Sequence, residues 1–267
     1  MDTEPASGPL HPGDTLTVRL TWRALRRTPV DYAVYVHMID DAGIIVAQRD
    51  TYPGLGRYPS TAWDPGAEWV DEYRVPIPDT AYTPDAFRVN FGLYRYPDGE
   101  RLPVTVASQT APAEGTAVYQ LEPRPDMPYP NPQQVNFDGK LMLHGYEQSS
   151  RAVHPGDTIT LTLYWSALAP GLDGYTVMAH VAGPGDAVYA NGDGVPVGGL
   201  APTPLWQPGD IITDTHSLRL SRDTPPGQYD IEIGWYDSQT IERLLILESN
   251  GVRAHDKWLL SPIRVLP

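Results

Sequence analysis

Residues 11–22 read H-P-G-D-T-L-T-V-R-L-T-W, and residues 154–165 read H-P-G-D-T-I-T-L-T-L-Y-W. In each, a Pro-Gly turn signal opens onto strict alternation. Leu16, Val18 and Leu20 fall on one face, and Thr15, Thr17, Arg19 and Thr21 on the other. Ile159, Leu161 and Leu163 repeat the apolar row. A period of two is the mark of a half-buried strand.

The match runs on down the chain. Displaced by 143 positions, residues 11–71 are identical to residues 154–214 at 22 of 61 positions. Unrelated chains of average composition would agree at roughly one position in fifteen. The identities include Trp22 with Trp165, Tyr32 with Tyr175 and His37 with His180. They also include Asp50 with Asp193, Trp63 with Trp206 and Asp71 with Asp214. After one deletion, Gly92, Tyr94 and Arg101-Leu102 match Gly234, Tyr236 and Arg243-Leu244. The chain is an internal duplication.

Tyr32–Ile39 and Tyr175–Ala182 are apolar on both faces, which predicts a central, covered strand in each copy. Further strands are expected near 44–47, 72–77, 87–93, 117–121, 141–148, 215–220, 229–235, 244–248 and 261–265. No segment sustains a helical period. Seven or so short strands per copy predict an all-β fold: two tandem antiparallel β-sandwich domains, immunoglobulin-like or jelly-roll-like. The first copy spans residues 1–124 and the second 133–267. Between them, residues 125–132 form a proline-rich linker, expected to be an extended spacer at ~3.1 Å per residue. The second copy has an opening strand, Leu141–Tyr146, whose counterpart would fall at or before residue 3. The first copy is therefore expected to lack it, and the natural chain to extend upstream.

Composition narrows the function. The 267 residues carry 29 Pro and 24 Gly, which suits many turns and few long helices. The formal net charge of −14 is scattered along the chain. Such a surface repels phosphate backbones and argues against nucleic-acid partners. There are no cysteines, so disulfides and thiolate metal sites are excluded. No stretch approaches the ~20 apolar residues of a membrane-spanning helix. The start, Met1–Pro5, is not a signal peptide, so the chain is either cytosolic or a piece of something longer.

The repeated polar residues are the candidate site. His37 with Asp50, and His180 with Asp193, suggest an imidazole–carboxylate pair that either holds the fold or orients a ligand. Trp63 and Trp206 sit beside turns, where a ring either plugs the sandwich or stacks on a sugar. Asp71 and Asp214 are a third repeated polar position, expected on the same rim. The two His-Pro-Gly-Asp phrases read as type II turns, with Asp bonding the next backbone N–H. The acidic turns at 40–43 and 191–194 lack the ligand alternation of a calcium loop and read as hairpin turns. No nucleophile, zinc or phosphate-loop motif occurs. No cofactor, metal or catalytic residue is assigned.

The phrases H-P-G-D-T-L-T-V-R-L-T-W-R-A, D-Y-A-V-Y-V-H-M-I-D, W-D-P-G-A-E-W-V-D and F-G-L-Y with R-L-P-V resemble a repeated extracytoplasmic module. That module is found C-terminal to the membrane segments of some bacterial glycosyltransferases and related membrane proteins. The resemblance implies a location outside the membrane, tethered through an upstream segment, with a glycan or the parent membrane protein as partner. It carries no catalytic motif. Three functions follow: a non-catalytic binding or spacer module, a glycan-processing enzyme domain using Asp50 with Asp71, or a structural protein–protein module. Two equal active sites in tandem would be unusual, which weighs against the enzyme.

Overall fold

The computed structural model describes residues 1–4, 8–102, 104–106, 109–111 and 113–267. Pro5 and Pro103, both in phrases quoted above, lie outside the described residues. The chain separates into two units, Met1–Arg124 and Pro125–Pro267.

The first unit contains β1 (Asp2–Glu4), β2 (Thr15–Arg23), β3 (Tyr32–Asp40), β4 (Ile45–Thr51), β5 (Glu68–Pro76), β6 (Asp85–Arg95), β7 (Val104–Val106), β8 (Gln109–Ala111) and β9 (Ala113–Leu121). They form antiparallel sheets ordered β1-β2-β5 and β4-β3-β6-β9, with β7-β8 as a separate hairpin. Alternation on β2 puts Leu16, Val18 and Leu20 inside, as the sequence predicts. They pack with Val34, Val36, Met38, Phe87 and Val89 from the other sheet. Trp22 meets Phe91 edge-on between the sheets at 6.4 Å. Two sheets sharing one apolar interior make a β-sandwich.

The second unit contains β10 (Val135–Phe137), β11 (Leu141–Gln148), β12 (Ala152–Val153), β13 (Thr158–Ala167), β14 (Tyr175–Ala182), β15 (Val188–Asn191), β16 (Ile211–Arg219), β17 (Gly227–Asp237), β18 (Trp258–Leu259) and β19 (Ile263–Val265). One sheet runs β10-β11-β13-β16 and the other β12-β19-β17-β14-β15, with β18 beside β17. Pairing is antiparallel except for the short β12–β19 contact, which is parallel. A parallel bridge, Leu10 to Leu121, stands at the same place in the first unit. Trp165 and Trp235 close the interior at 4.8 Å from opposite sheets. As expected, β3 and β14 lie between neighbours on both sides and are buried almost throughout.

Four expectations change. The first unit does have an opening strand, the three-residue β1, where Glu4 faces Thr17; its counterpart β11 has eight residues. Residues 244–248 make only isolated bridges, such as Phe137–Ile246 and Leu247–Arg253, because their backbone bonds are divided among Trp235, Asn136, His255 and Val252 rather than running along one partner. In the His-Pro-Gly-Asp turns the carboxylate reaches back: His11 N–H donates to Asp14 Oδ2 and His154 N–H to Asp157 Oδ2, each at 2.8 Å. The type II form itself holds, with Gly13 and Gly156 at φ 93° and 92°.

Lastly, the proline-rich segment is anchored at its far end within the second unit. Tyr146 N–H donates to Pro130 O at 3.1 Å, and Asn131 Nδ2 donates to Tyr146 O at 3.1 Å. The bulge on β11 makes room for it at Gly145, where a Cβ would lie 2.4 Å from Pro130 O.

Candidate functional site

Two polar constellations recur in both units, and they occupy different places. The first clasps the loop between β4 and β5, and its equivalent between β15 and β16. That loop passes through two 3₁₀ turns, Pro53–Gly56 and Ser60–Ala62 in one unit, Pro196–Gly199 and Thr203–Leu205 in the other. The first turn visits left-handed backbone twice, at Gly54 and Leu55 (φ 57° and 55°) and at Val197 and Gly198 (φ 55° and 60°). A β-branched residue resists that conformation, so something must hold Val197 there.

The aspartates do so. Gly54 N–H donates to Asp71 Oδ2 and Val197 N–H to Asp214 Oδ1, each at 2.7 Å. The indoles close the second turn: Trp63 Nε1 donates to Tyr58 O at 3.1 Å and Trp206 Nε1 to Ala201 O at 2.8 Å. A hydroxyl completes the clasp. Ser60 Oγ accepts from Tyr32 N–H, and Thr203 Oγ1 from Tyr175 N–H, each at 2.9 Å. Ser60 and Thr203 are fully buried. They differ in identity, so matching letters misses them; the available signal is a hydroxyl following Pro59 and Pro202 in both copies.

The two clasps differ in one donor. In the first unit Tyr73 Oη donates to Asp71 Oδ2 at 2.7 Å. Burial, then the bond to Asp71, raises the Tyr73 phenol far above its usual range. In the second unit His216 stands there, with Nε2 2.7 Å from Asp214 Oδ2 and Nδ1 2.8 Å from Gly192 O. A carboxylate and a carbonyl both accept, so with Asp214 ionised this pair of contacts favours the doubly protonated ring of His216. Burial alone would lower its pKa, but the bonds to Asp214 and Gly192 prevail and raise it.

A pH dependence follows. The folded pKa lies above the ordinary 6.5 of an unfolded histidine. The stabilisation is therefore complete below that value and is lost as pH rises through the folded pKa. Amide exchange in β16 should accelerate beyond its intrinsic rise as pH climbs above the ordinary histidine range, while β5 should not. The variant His216→Tyr, which copies the first unit, should abolish the difference; a β16 response that survives it would remove His216 as the cause.

The second constellation lies in the other sheet. His37 Nε2 is 2.8 Å from Asp50 Oδ1, a diagonal pair across β3 and β4. His180 Nε2 is 2.9 Å from Asp193 Oδ1, with the ring out of line for a hydrogen bond. Asp193 also accepts from Ala179 N–H at 3.0 Å. Burial would raise Asp193, yet the nearby His180 ring and the Ala179 N–H hold it below the ordinary aspartate range. A tyrosine joins each pair: burial first, then the neighbouring carboxylate, raises Tyr94 beside Asp50 and Tyr236 beside Asp193.

The eight predicted residues therefore divide. His37 with Asp50, and His180 with Asp193, come together. Trp63 with Asp71, and Trp206 with Asp214, belong to the clasp. Trp206 is only 2 % exposed, so neither ring face is open to a ligand. Asp214 is fully buried. Among the described residues no three His, Asp or Glu side chains converge as a metal cluster would.

A shallow cleft of about 260 Å³ opens beside Asp50 of the first His–Asp pair, lined by Ala33, Asp50, Thr51, Tyr52, Tyr94 and Tyr96. Asp71 is not in its lining, so the two carboxylates do not flank it as a glycosidase pair would. Among the described residues no helix is long and apolar enough to cross a membrane.

No protein-family model matches the chain, and no curated protein matches it. A solved structure, the C-terminal domain of the Streptococcus agalactiae AgI/II polypeptide BspA, aligns with 96% of this chain and 94% of its own, at 9% identity and a TM-score of 0.22. A likeness that low carries no argument.

Proposed function

We propose that this chain is a non-catalytic, glycan-associated binding or spacer module, tethered outside the cytoplasmic membrane to a larger membrane protein. One observation carries the reading. The polar residues preserved between the copies hold their own unit together: Asp71 and Asp214 fix a strained turn, and the two indoles tie down the loop that follows. Catalytic groups are instead left with an open side towards substrate. The resemblance of the repeated phrases to an extracytoplasmic module supplies the location, and the duplication suits linked weak sites, which gain avidity.

The test is the membrane topology of the full reading frame. Membrane-spanning segments should precede this chain, and a reporter that is active only after export should be active when fused at Pro267. A frame without such segments, or a reporter active only inside, overturns the tethered placement.

One observation favours the protein–protein reading as second. The 195–205 loop exposes Val195 (38 %), Leu200 (84 %) and Leu205 (68 %), apolar side chains that a packed neighbour would cover.

A further inference from the structure

The two His–Asp–Tyr constellations are alike, but their surroundings are not. In the first unit the cleft is flanked by Tyr52 and Tyr96, which are 42 % and 69 % exposed. At the repeat-equivalent positions the second unit carries Val195 and Ser238. The shared residues therefore account for the fold, and the flanking tyrosines are extra to it. They contribute nothing to the first unit's interior. Large aromatic side chains left in the open beside a carboxylate are the usual furniture of a binding surface.

The chemistry of the cleft selects a ligand class. Tyr52, Tyr94 and Tyr96 line the cleft together with Asp50, so three phenols and one carboxylate share a single opening. Asp50 is partly exposed and already takes one proton donor, His37 Nε2, at 2.8 Å. Its remaining lone pairs accept from ligand hydroxyls, while the phenols both donate and accept. A cage for an organic cation would turn ring faces inward around an uncompensated charge. Here the carboxylate already holds a partner in His37 and shares its opening with three phenols, and a cleft of about 260 Å³ suits one or two pyranose rings beside Tyr52 and Tyr96.

We propose that Tyr52, Tyr94, Tyr96 and Asp50 form a binding site for a neutral saccharide, present in the first unit and absent from the second. The proposal rests on reading the module as a binder and gives that reading a place and a ligand class.

Saturation-transfer NMR on the whole chain with maltose, cellobiose and mannobiose tests it. At least one sugar should receive saturation, and Tyr52→Ala and Tyr96→Ala should each weaken its binding about tenfold. Both side chains are exposed, so unchanged melting of the two variants confirms that folding is intact. Val195→Ala, at the matching place in the second unit, should leave binding unchanged. The site is overturned if none of the three sugars binds, if both tyrosine variants bind as well as the parent, or if tetramethylammonium displaces the sugar. Each of those outcomes leaves the topology test of membrane placement standing or falling by itself.

Discussion

Replacing Asp214 with alanine is expected to lower the stability of the second unit by about 3–5 kcal/mol. The carboxylate is fully buried, and two groups depend on it. One is the His216 imidazolium at 2.7 Å, which would be left as an uncompensated buried charge. The other is the Val197 N–H, whose bond holds a β-branched residue in left-handed backbone. The parallel change Asp71→Ala should be milder, about 1–2 kcal/mol. Asp71 is only half-buried, its partner Tyr73 is neutral, and one of the two left-handed residues there is Gly54. Urea denaturation, with amide exchange in β16 and β5 to assign the loss, checks both values. Equal losses in the two units would show that the buried charge is not the source of the difference.

Trp206→Ala should be as severe, about 3–5 kcal/mol, with Trp63→Ala well below it. Trp206 is buried and meets Trp235 edge-on at 5.9 Å, and Trp235 in turn meets Trp165. Removing the indole opens a cavity between rigid rings that cannot close in, and it frees the Ala201 carbonyl. Trp63 lies partly in the open against Trp69, with ring centroids 3.8 Å apart, so solvent and its neighbour can take up the space. The midpoint and slope of denaturant curves measure the two losses. A Trp63→Ala loss equal to that of Trp206→Ala would mean that exposure does not set the scale here.

What could be read from the letters follows from what letters record. Alternation reports which face of a strand is wet, so Leu16, Val18, Leu20 and their partners in β13 are placed correctly. A Pro-Gly pair reports a positive φ, so both His-Pro-Gly-Asp turns appear where expected. The His37–Asp50 pairing was legible because both positions repeat and a hairpin brings them together. Three things were not. The Ser60 and Thr203 hydroxyls do one job under two letters. Tyr73 and His216 do the same, and identity scoring passes over each pair. Tyr52 and Tyr96 of the cleft fail the opposite way: they occur in one copy only, and a search for what the copies share discards them. The strand expected at 244–248 failed because apolar alternation says which residues face inward, and nothing about whether the backbone bonds run along one partner or are divided among several.

The clasp also tells a history. After duplication one partner of the bond changed, from phenol to imidazole or the reverse, while the acid stayed. A turn held in left-handed backbone tolerates any donor that reaches the carboxylate, but it has no substitute for the acceptor that restrains the chain. The acid is the fixed word and its donor a free synonym. Further copies of this module are therefore better recognised by an aspartate seventeen residues beyond the left-handed turn, with tyrosine or histidine two places on, than by the histidines and tryptophans that first catch the eye.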